Sequence, residues 1–303
     1  MNKVELYKSF KLIKESTYNN IHGVMCFKST NKGPIVGITI CTHGNEPCGL
    51  AVINIIGKIK QELKCGQVFI VLNNIKATEK YFSSNTIEGE SACRFIDINM
   101  NRLPETIQQN SPLYEVRRAY ELKSVWTKFD YAIDFHSTPQ PSKPFIIEGN
   151  SMKDDFSRFI PSTLTIKNML NIQIGFPAIS FYGNSNSSIL GLEAGSHNDN
   201  SALDITIEST LSLLSHLDMI DFDKKEYSSK KYLINGSIIV PNNSYKLAKE
   251  FPMFSNIKKG QVIARGNKQD ILSNQNGLAI LAPKGINILN HNEEALFICK
   301  EII

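Results

Sequence analysis

The chain has 303 residues, of which 42% are hydrophobic and 20% charged, and its formal net charge is +4. This is ordinary globular composition, which excludes long disorder, and the length suits one large domain or two unequal ones. The small net charge, together with the lack of a basic run interleaved with aromatic residues, argues against a nucleic-acid partner.

Signals for membranes and disulfides are also missing from the sequence. The N-terminal segment MNKVELYKSFKLIKES has no signal-peptide core, and no apolar stretch approaches the roughly 20 residues that span a bilayer. The six cysteines are scattered without a CxxC pair, as in proteins with reduced thiols. We therefore expect a cytoplasmic protein with no membrane partner.

Strand and helix patterns alternate along the chain before Asp221. A first segment is expected to pair at a sheet edge, and apolar β-branched runs then alternate with segments of helical period. This alternation predicts an α/β fold, with a mixed, mainly parallel sheet and helices on both faces. The predicted strands are GPIVGITIC, GQVFIVLNN, YAIDFH, PFIIEG, AISFY and SILGLEAG, and the predicted helices are PCGLAVINIIGKIKQEL, SPLYEVRRAYELKSVWTKF and NDNSALDITIESTLSLLSHL.

The character of the sequence changes after Asp221. The stretch DFDKKEYSSKKY is charged and polar, as in a linker or exposed connection. Beyond it, short β-like runs are broken by glycine, proline and asparagine. We predict a large α/β domain over residues 1–222 and a small all-β domain over residues 223–303.

Polar residues stand at the ends of two predicted strands. His43 and Glu46 follow the first strand, and His136 ends the strand YAIDFH. Two imidazoles and one carboxylate form the ligand set of many catalytic zinc sites, where a fourth position is left for water. Asp134 lies on the same strand face as His136 and could orient a histidine. An isolated HxxE also arises by chance, and a histidine at a strand end is usually a polar terminus.

A third motif, CRFIDINMNRLP at residues 93–104, accompanies these residues. Together with HGNE (43–46), DFH (134–136) and GLEAG (191–195), it resembles the succinylglutamate desuccinylase/aspartoacylase family, a branch of the zinc carboxypeptidase superfamily. The order of the motifs matches that family, as does the interval of about 90 residues between HGNE and the later histidine. The resemblance covers most of the chain.

The resemblance implies a zinc carboxypeptidase-like fold with one zinc ion per chain. His43, Glu46 and His136 would be the zinc ligands. Glu193, in GLEAG, would take a proton from water as general base and later return it to the leaving nitrogen. The alternative for Glu193 is an ordinary exposed glutamate.

The resemblance also assigns roles to three residues of the third motif. Arg94 would stabilise the developing oxyanion. Asn101 and Arg102 would hold a substrate carboxylate, for which a forked guanidinium is suited. The alternatives are a solvated loop charge for Arg94, and a helix cap or a pair with Glu105 for Arg102.

This chain departs from the family pattern in ways that concern the substrate. Asn99 stands where the family has an aspartate, which predicts a looser hold on Arg102. The stretch FYGNSNSSILGLE contains no arginine or lysine, whereas aspartoacylase-like members carry an arginine there for a second substrate carboxylate. The proline-and-glutamine run after the catalytic glutamate is replaced by GSHNDNS. The roles of His197 and Tyr182 stay open.

Three functions compete at this point. The leading one is a zinc hydrolase that cleaves the amide of a small N-acyl amino acid. The others are a metallocarboxypeptidase acting on a short peptide's C-terminus and a non-catalytic protein that keeps the metal fold. A second domain that covers the metal would exclude peptides, and an open cleft would admit them. The acyl group, the native metal and the oligomeric state stay open, and an oligomer is possible.

Overall fold

The structure is a computed structural model that describes residues 1–86, 89–90, 92–197, 199–241, 244–283, 289 and 294–302. Its described α-helices are α1 (Lys3–Glu15), α2 (Ile56–Glu62), α3 (Ile75–Ser83), α4 (Tyr114–Trp126), α5 (Met169–Ile172) and α6 (Ser201–His216). Short 3-10 helices cover Pro47–Ile55, Met100–Arg102, Phe156–Phe159 and Ala178–Phe181.

The strands follow one another in the order that an α/β protein requires. They are β1 (Thr17–Tyr18), β2 (Ile21–His22), β3 (Val24–Lys28), β4 (Ile35–Ile40), β5 (Gln67–Leu72), β6 (Tyr131–Thr138), β7 (Phe145–Met152), β8 (Leu164–Lys167), β9 (Ser188–Ser196), β10 (Lys230–Ile239), β11 (Lys246–Leu247), β12 (Asn256–Ile257), β13 (Val262–Arg265), β14 (Asp270–Leu272), β15 (Gly277–Ile280) and β16 (Glu294–Ile302).

Most of these strands belong to one mixed sheet with the order β12-β15-β16-β10-β8-β7-β9-β6-β4-β5-β3. Strand β4 is parallel to β5 and β6, and β6 is parallel to β9. The carboxyl ends of these parallel strands therefore meet at one edge, where open α/β sheets build their sites. The predicted mixed α/β fold is confirmed.

Helices cover both faces of the sheet because alternate strand residues point to opposite sides. Val68 and Ile70 of β5 pack in one core with α1, α6 and the 3-10 helix Pro47–Ile55. Phe69 and Val71 of the same strand pack in the other core, with α4. Both cores bury nearly continuous apolar strands, as expected for a sheet covered on two sides.

The C-terminal strands continue the same sheet. Strand β10 pairs in parallel with β8, and β16 pairs antiparallel with β10. Strands β11, β13 and β14 form a small separate sheet. Their apolar residues pack together with those of β10, β12, β15 and β16 in a further hydrophobic core. The predicted C-terminal strands are present, while the division at residue 222 stays a prediction.

Two local predictions differ from the structure. AISFY is a 3-10 helix, not a strand, because Tyr182 N–H bonds back to Ile179 O and turns the chain. The N-terminal segment contains α1 before its edge strand β3, and its missed signal is a capping box between Asn2 and Glu5. None of the described helices combines the length and apolar character needed to cross a membrane.

Candidate metal and catalytic site

The turn after β4 places two candidate metal ligands, His43 and Glu46, in the protein interior. Gly44 lies so close to α3 that a Cβ atom would approach the Ala77 carbonyl carbon to 2.3 Å. Only glycine fits there, and the flanking His43 and Glu46 are 1% and 2% exposed. His136, near the carboxyl end of β6, is 5% exposed. The sheet thus brings residues from two parallel strands to one buried point.

His43, Glu46 and His136 form a group whose potential ligand atoms all lie within 4.8 Å of one another. His43 Nδ1 is 2.9 Å from Glu46 Oε1, and His136 Nδ1 is 2.8 Å from Glu46 Oε2. The group could therefore hold a metal ion through two nitrogens and a carboxylate.

The outer nitrogens of both histidines are held by neighbouring side chains. His43 Nε2 donates to Asn99 Oδ1 at 2.9 Å, and the same oxygen accepts the Asn101 backbone N–H. His136 Nε2 donates to Asp134 Oδ2 at 3.0 Å. Such contacts orient metal-binding imidazoles and select their tautomer. Asn99 thus supports His43, and the looser hold on Arg102 stays a prediction.

The polar atoms of this group fit a bound cation. Since His43 Nε2 carries the proton that Asn99 accepts, the lone pair of the neutral ring is on Nδ1. This buried atom faces Glu46 Oε1 at 2.9 Å and makes no hydrogen bond within the described part of the chain. Two electron-rich atoms at this distance repel unless a cation lies between them. The donor set of two imidazoles and one carboxylate is one that zinc prefers.

Ionisation of the three residues follows from burial and mutual charge. Burial, with Arg94 nearby, lowers the pKa of His43 to about 4, so the ring is neutral as a metal ligand must be. Burial would raise the pKa of Glu46, but the charge of Arg94 and the hydrogen bond from His136 outweigh it and hold that pKa well below its usual range. Burial opposes the charged form of His136, yet Asp134 keeps its pKa well above the usual range, so metal binding would release the proton from His136 Nδ1.

Glu193 lies beside the metal group on the adjacent strand. In the parallel pairing of β6 and β9 it is the register partner of His136. The side chain is buried, and its Oε2 makes no hydrogen bond with any residue that the structure describes. Burial raises the pKa of Glu193 to about 7, opposed by the charges of His136 and Arg94. A carboxyl group with such a pKa can exchange a proton near neutrality.

The predicted catalytic residue Arg94 and the predicted substrate-binding residues Asn101 and Arg102 have partners within the protein. Arg94 contacts Glu46, with 2.6 Å between its guanidinium nitrogen and Glu46 Oε1. Asn101 Oδ1 accepts the Ala178 backbone N–H at 3.3 Å. Arg102 donates to the Asn101 carbonyl at 2.7 Å, and its buried Nε has no partner among the residues described.

Glu294, at the start of β16, is a pocket residue that the sequence did not reveal. Its carboxylate pairs with Arg102, and Oε1 accepts the Ile174 backbone N–H at 2.6 Å. The side chain is 1% exposed. Nothing local in NEEALFICK distinguishes this glutamate, since the partner Arg102 lies far away in the sequence and the contact depends on the sheet.

The two residues with open roles lie in different surroundings. His197 lines the cavity, and its Nδ1 is 2.8 Å from Ser137 Oγ. Burial lowers its pKa. Tyr182 is instead packed in the core beside α4, where its hydroxyl accepts a hydrogen bond from Asn73 at 2.9 Å.

A cavity of about 510 Å³ connects these groups. His43, Glu46, His136 and Glu193 line it, together with Arg94 and Arg102. Its other wall comes from the C-terminal part of the chain, through Met253, Leu281, Ala282, Pro283, Glu294 and Phe297. Gln140 ties the two walls together, because its Nε2 donates to Ala282 O and Pro283 O at 2.9 and 3.0 Å.

The fold and the site together define a class: a mixed α/β protein with a candidate metal group at the carboxyl edge of its sheet. A sequence model of the succinylglutamate desuccinylase/aspartoacylase catalytic domain matches residues 32–208. This protein belongs to that family, whose named members are hydrolases.

Individual relatives agree with this assignment. A probable aspartoacylase from Prochlorococcus marinus is 32% identical over 133 residues, which span 42% of this chain and 41% of that relative. Succinylglutamate desuccinylase from Vibrio cholerae has a similar structure (TM-score 0.68, 14% identity, 98% of this chain and 94% of that one). So does the ectoine utilization protein EutE (DoeB) from Ruegeria pomeroyi (TM-score 0.62, 15% identity, 91% and 88%). The structural neighbours support the fold alone.

Proposed function

We propose that this protein is a zinc-dependent amidohydrolase that removes the acyl group from a small N-acyl amino acid. The observation that carries the proposal is the position of Glu193, which adjoins His136 and the candidate metal group and whose buried Oε2 has no hydrogen-bond partner among the described residues. A non-catalytic metal protein would have no need for a free buried carboxylate there, since burying one without partners is costly.

The site residues have separate roles in the proposed hydrolysis of the amide. Zinc held by His43, Glu46 and His136 would polarise the substrate carbonyl and make water more acidic. Glu193 takes a proton from the attacking water and returns it to the nitrogen as the C–N bond breaks. Arg94 stabilises the negative charge that develops on the carbonyl oxygen. The products are a carboxylate and a free amine.

The shape of the cavity favours a small substrate over a peptide. Six residues from the C-terminal part of the chain line the same cavity as the metal group. The link from Gln140 to Ala282 and Pro283 supports a covered site. A metallocarboxypeptidase needs an open groove for the peptide, so this feature weighs against that alternative.

The charges that line the cavity favour a substrate with a single carboxylate. Among the described lining residues, the permanent cations are Arg94 and Arg102. Arg94 is proposed for the oxyanion, and Glu294 already offsets the charge of Arg102. A second substrate carboxylate would thus lack a cation of its own, and burying an unpaired charge costs several kcal/mol.

We expect higher kcat/KM for N-acetylated neutral amino acids than for N-acetylaspartate or N-succinylglutamate. The comparison uses metal-loaded protein and a panel that also contains short peptides. A clear preference for N-acetylaspartate would mean that another cation reaches the substrate, such as Lys143 or Arg265. Neither residue lines the cavity, and Arg265 is exposed beside Asp270. Cleavage of peptides alone would favour the carboxypeptidase alternative.

Glu294→Gln should lower KM for substrates that carry a carboxylate. The glutamine oxygen can still accept the Ile174 N–H, while the charge that competes for Arg102 is removed. We expect KM for N-acetylaspartate to fall about tenfold, which corresponds to about 1.4 kcal/mol. Glu105→Gln, an exposed carboxylate near Arg102 in the sequence, is the control and should leave KM unchanged. A higher KM in Glu294→Gln would show that Glu294 helps Arg102 to bind substrate.

A further inference from the structure

Several residues near the metal group come from one short stretch of chain, residues 94–102, which is the arginine segment. It carries Arg94, Asn99, Asn101 and Arg102. Before the 3-10 helix Met100–Arg102, the segment has no helix or strand. Regular backbone pairing therefore does not hold it, and its N–H groups need partners elsewhere.

Glu115, on the first turn of α4, supplies those partners. It is completely buried. Oε1 accepts the Ile96 N–H at 2.7 Å, and Oε2 accepts those of Asp97 and Ile98 at 3.0 and 3.2 Å. Asn74 Nδ2 also donates to Oε1, at 3.1 Å. Three successive backbone amides thus converge on one carboxylate, as in the backbone concavities that bind anions.

The arginine segment stabilises α4 in return. Asp97 Oδ2 accepts the N–H of Tyr114, the first residue of α4, at 2.7 Å. A carboxylate at a helix N-terminus binds a free amide and is favoured by the helix dipole. Each element therefore places a carboxylate on the backbone of the other, so the segment and the helix form one unit.

The arginine segment contacts the candidate site on both sides of the residues that Glu115 binds. The carbonyl oxygen of Arg94 accepts the Gly44 N–H at 3.0 Å, in the turn between the two metal-ligand candidates. Asn99 Oδ1 accepts from His43 Nε2 at 2.9 Å. Glu115 binds the backbone between these two contacts. A shift of the middle of the segment would move both Arg94 and Asn99.

We propose that Glu115 is a positioning residue that sets the place of the Arg94 guanidinium and, through Asn99, the orientation of the His43 ring. A misplacement of about 1 Å can cost about 100-fold in rate. The part that concerns Arg94 rests on the proposed hydrolase function. The part that concerns His43 rests only on metal binding.

Glu115→Gln is the test, because the amide replaces one of two acceptor oxygens with a donor. At saturating zinc we expect kcat to fall about tenfold with KM changed less than twofold. The dissociation constant for zinc, measured by competition with a chelating dye, should rise about tenfold. Arg118→Lys is the matched control: it is a buried charge on the same helix that contacts the backbone of His22, Leu72 and Asn73, not the segment. It should leave kcat and zinc affinity unchanged even if it lowers stability.

A double-mutant cycle separates positioning from general destabilisation. If Glu115 acts on the rate through Arg94, Glu115→Gln should change kcat less than twofold in the Arg94→Ala background. An equal loss in both backgrounds, or an unchanged zinc affinity, would overturn the proposal. If no N-acyl substrate is hydrolysed by the wild type, the proposed function fails, while the zinc measurement still decides the role of Glu115.

Hydrogen exchange of the wild-type protein tests the contact between Glu115 and residues 96–98 without any substitution. The side chains of Ile96 and Asp97 are exposed, so burial alone would not protect their amides. We expect the amides of residues 96–98 to exchange at least 100-fold more slowly than unstructured peptide. Free exchange at these three positions would rule out the contact with Glu115.

Discussion

Glu193→Gln is expected to lower kcat by on the order of 100- to 10,000-fold while the bound metal and the fold remain. The glutamine has nearly the same shape but cannot take the proton from the attacking water. Because Glu193 Oε2 makes no hydrogen bond, the substitution breaks little in the buried structure. Steady-state rates of metal-loaded protein, with elemental analysis of the same samples, measure the effect. Near-wild-type turnover would remove Glu193 from the mechanism.

A control and a pH profile sharpen this test. Glu148→Gln lies on the neighbouring strand β7 and pairs with Lys167 at 2.9 Å outside the cavity, so its rate should be unchanged. The base form of Glu193 is required, so wild-type kcat/KM should fall as the pH drops through its pKa. Burial raises that pKa to about 7. A bound cation lowers it, so the midpoint should lie below 7, and the residual activity of Glu193→Gln should lack this acidic limb.

His43→Ala is expected to reduce the metal content from about one ion per chain to trace amounts and to abolish hydrolysis. Three protein ligands hold a catalytic zinc, and the alanine leaves only Glu46 and His136. The loss also leaves a buried carboxylate facing an empty space. Elemental analysis of protein purified without chelator measures the content. Equal trace metal in the variant and the wild type would mean that the site is misassigned.

His216→Ala is the matched control for the loss of a histidine. His216 is partly buried and pairs with Asp154 at 2.6 Å, and it does not line the cavity. Its substitution should leave the metal content unchanged. Equal metal loss in both variants would point to a general effect on folding, not to coordination by His43.

Much of the sheet could be predicted because its signals are local. The strand containing His136 and the strand containing Glu193 are mainly apolar runs with few polar residues, and the structure has both as β6 and β9. The segment AISFY also contains β-branched and aromatic residues but forms a 3-10 helix, and its Ala178 N–H donates to Asn101 Oδ1 from another part of the chain. Short apolar runs do not carry enough information to separate these outcomes.

The sequence alone was sufficient for the fold class and for the grouping of His43, Glu46 and His136. These residues stand at the ends of parallel strands, whose carboxyl ends must meet at one edge of a sheet. The tertiary structure decided the rest: the Glu294 contact with Arg102, the support of His43 by Asn99, and the contact of Glu115 with residues 96–98. Each joins segments that are distant in sequence and depends on register and burial. No local sequence pattern indicates which buried carboxylate will contact which arginine or backbone amide.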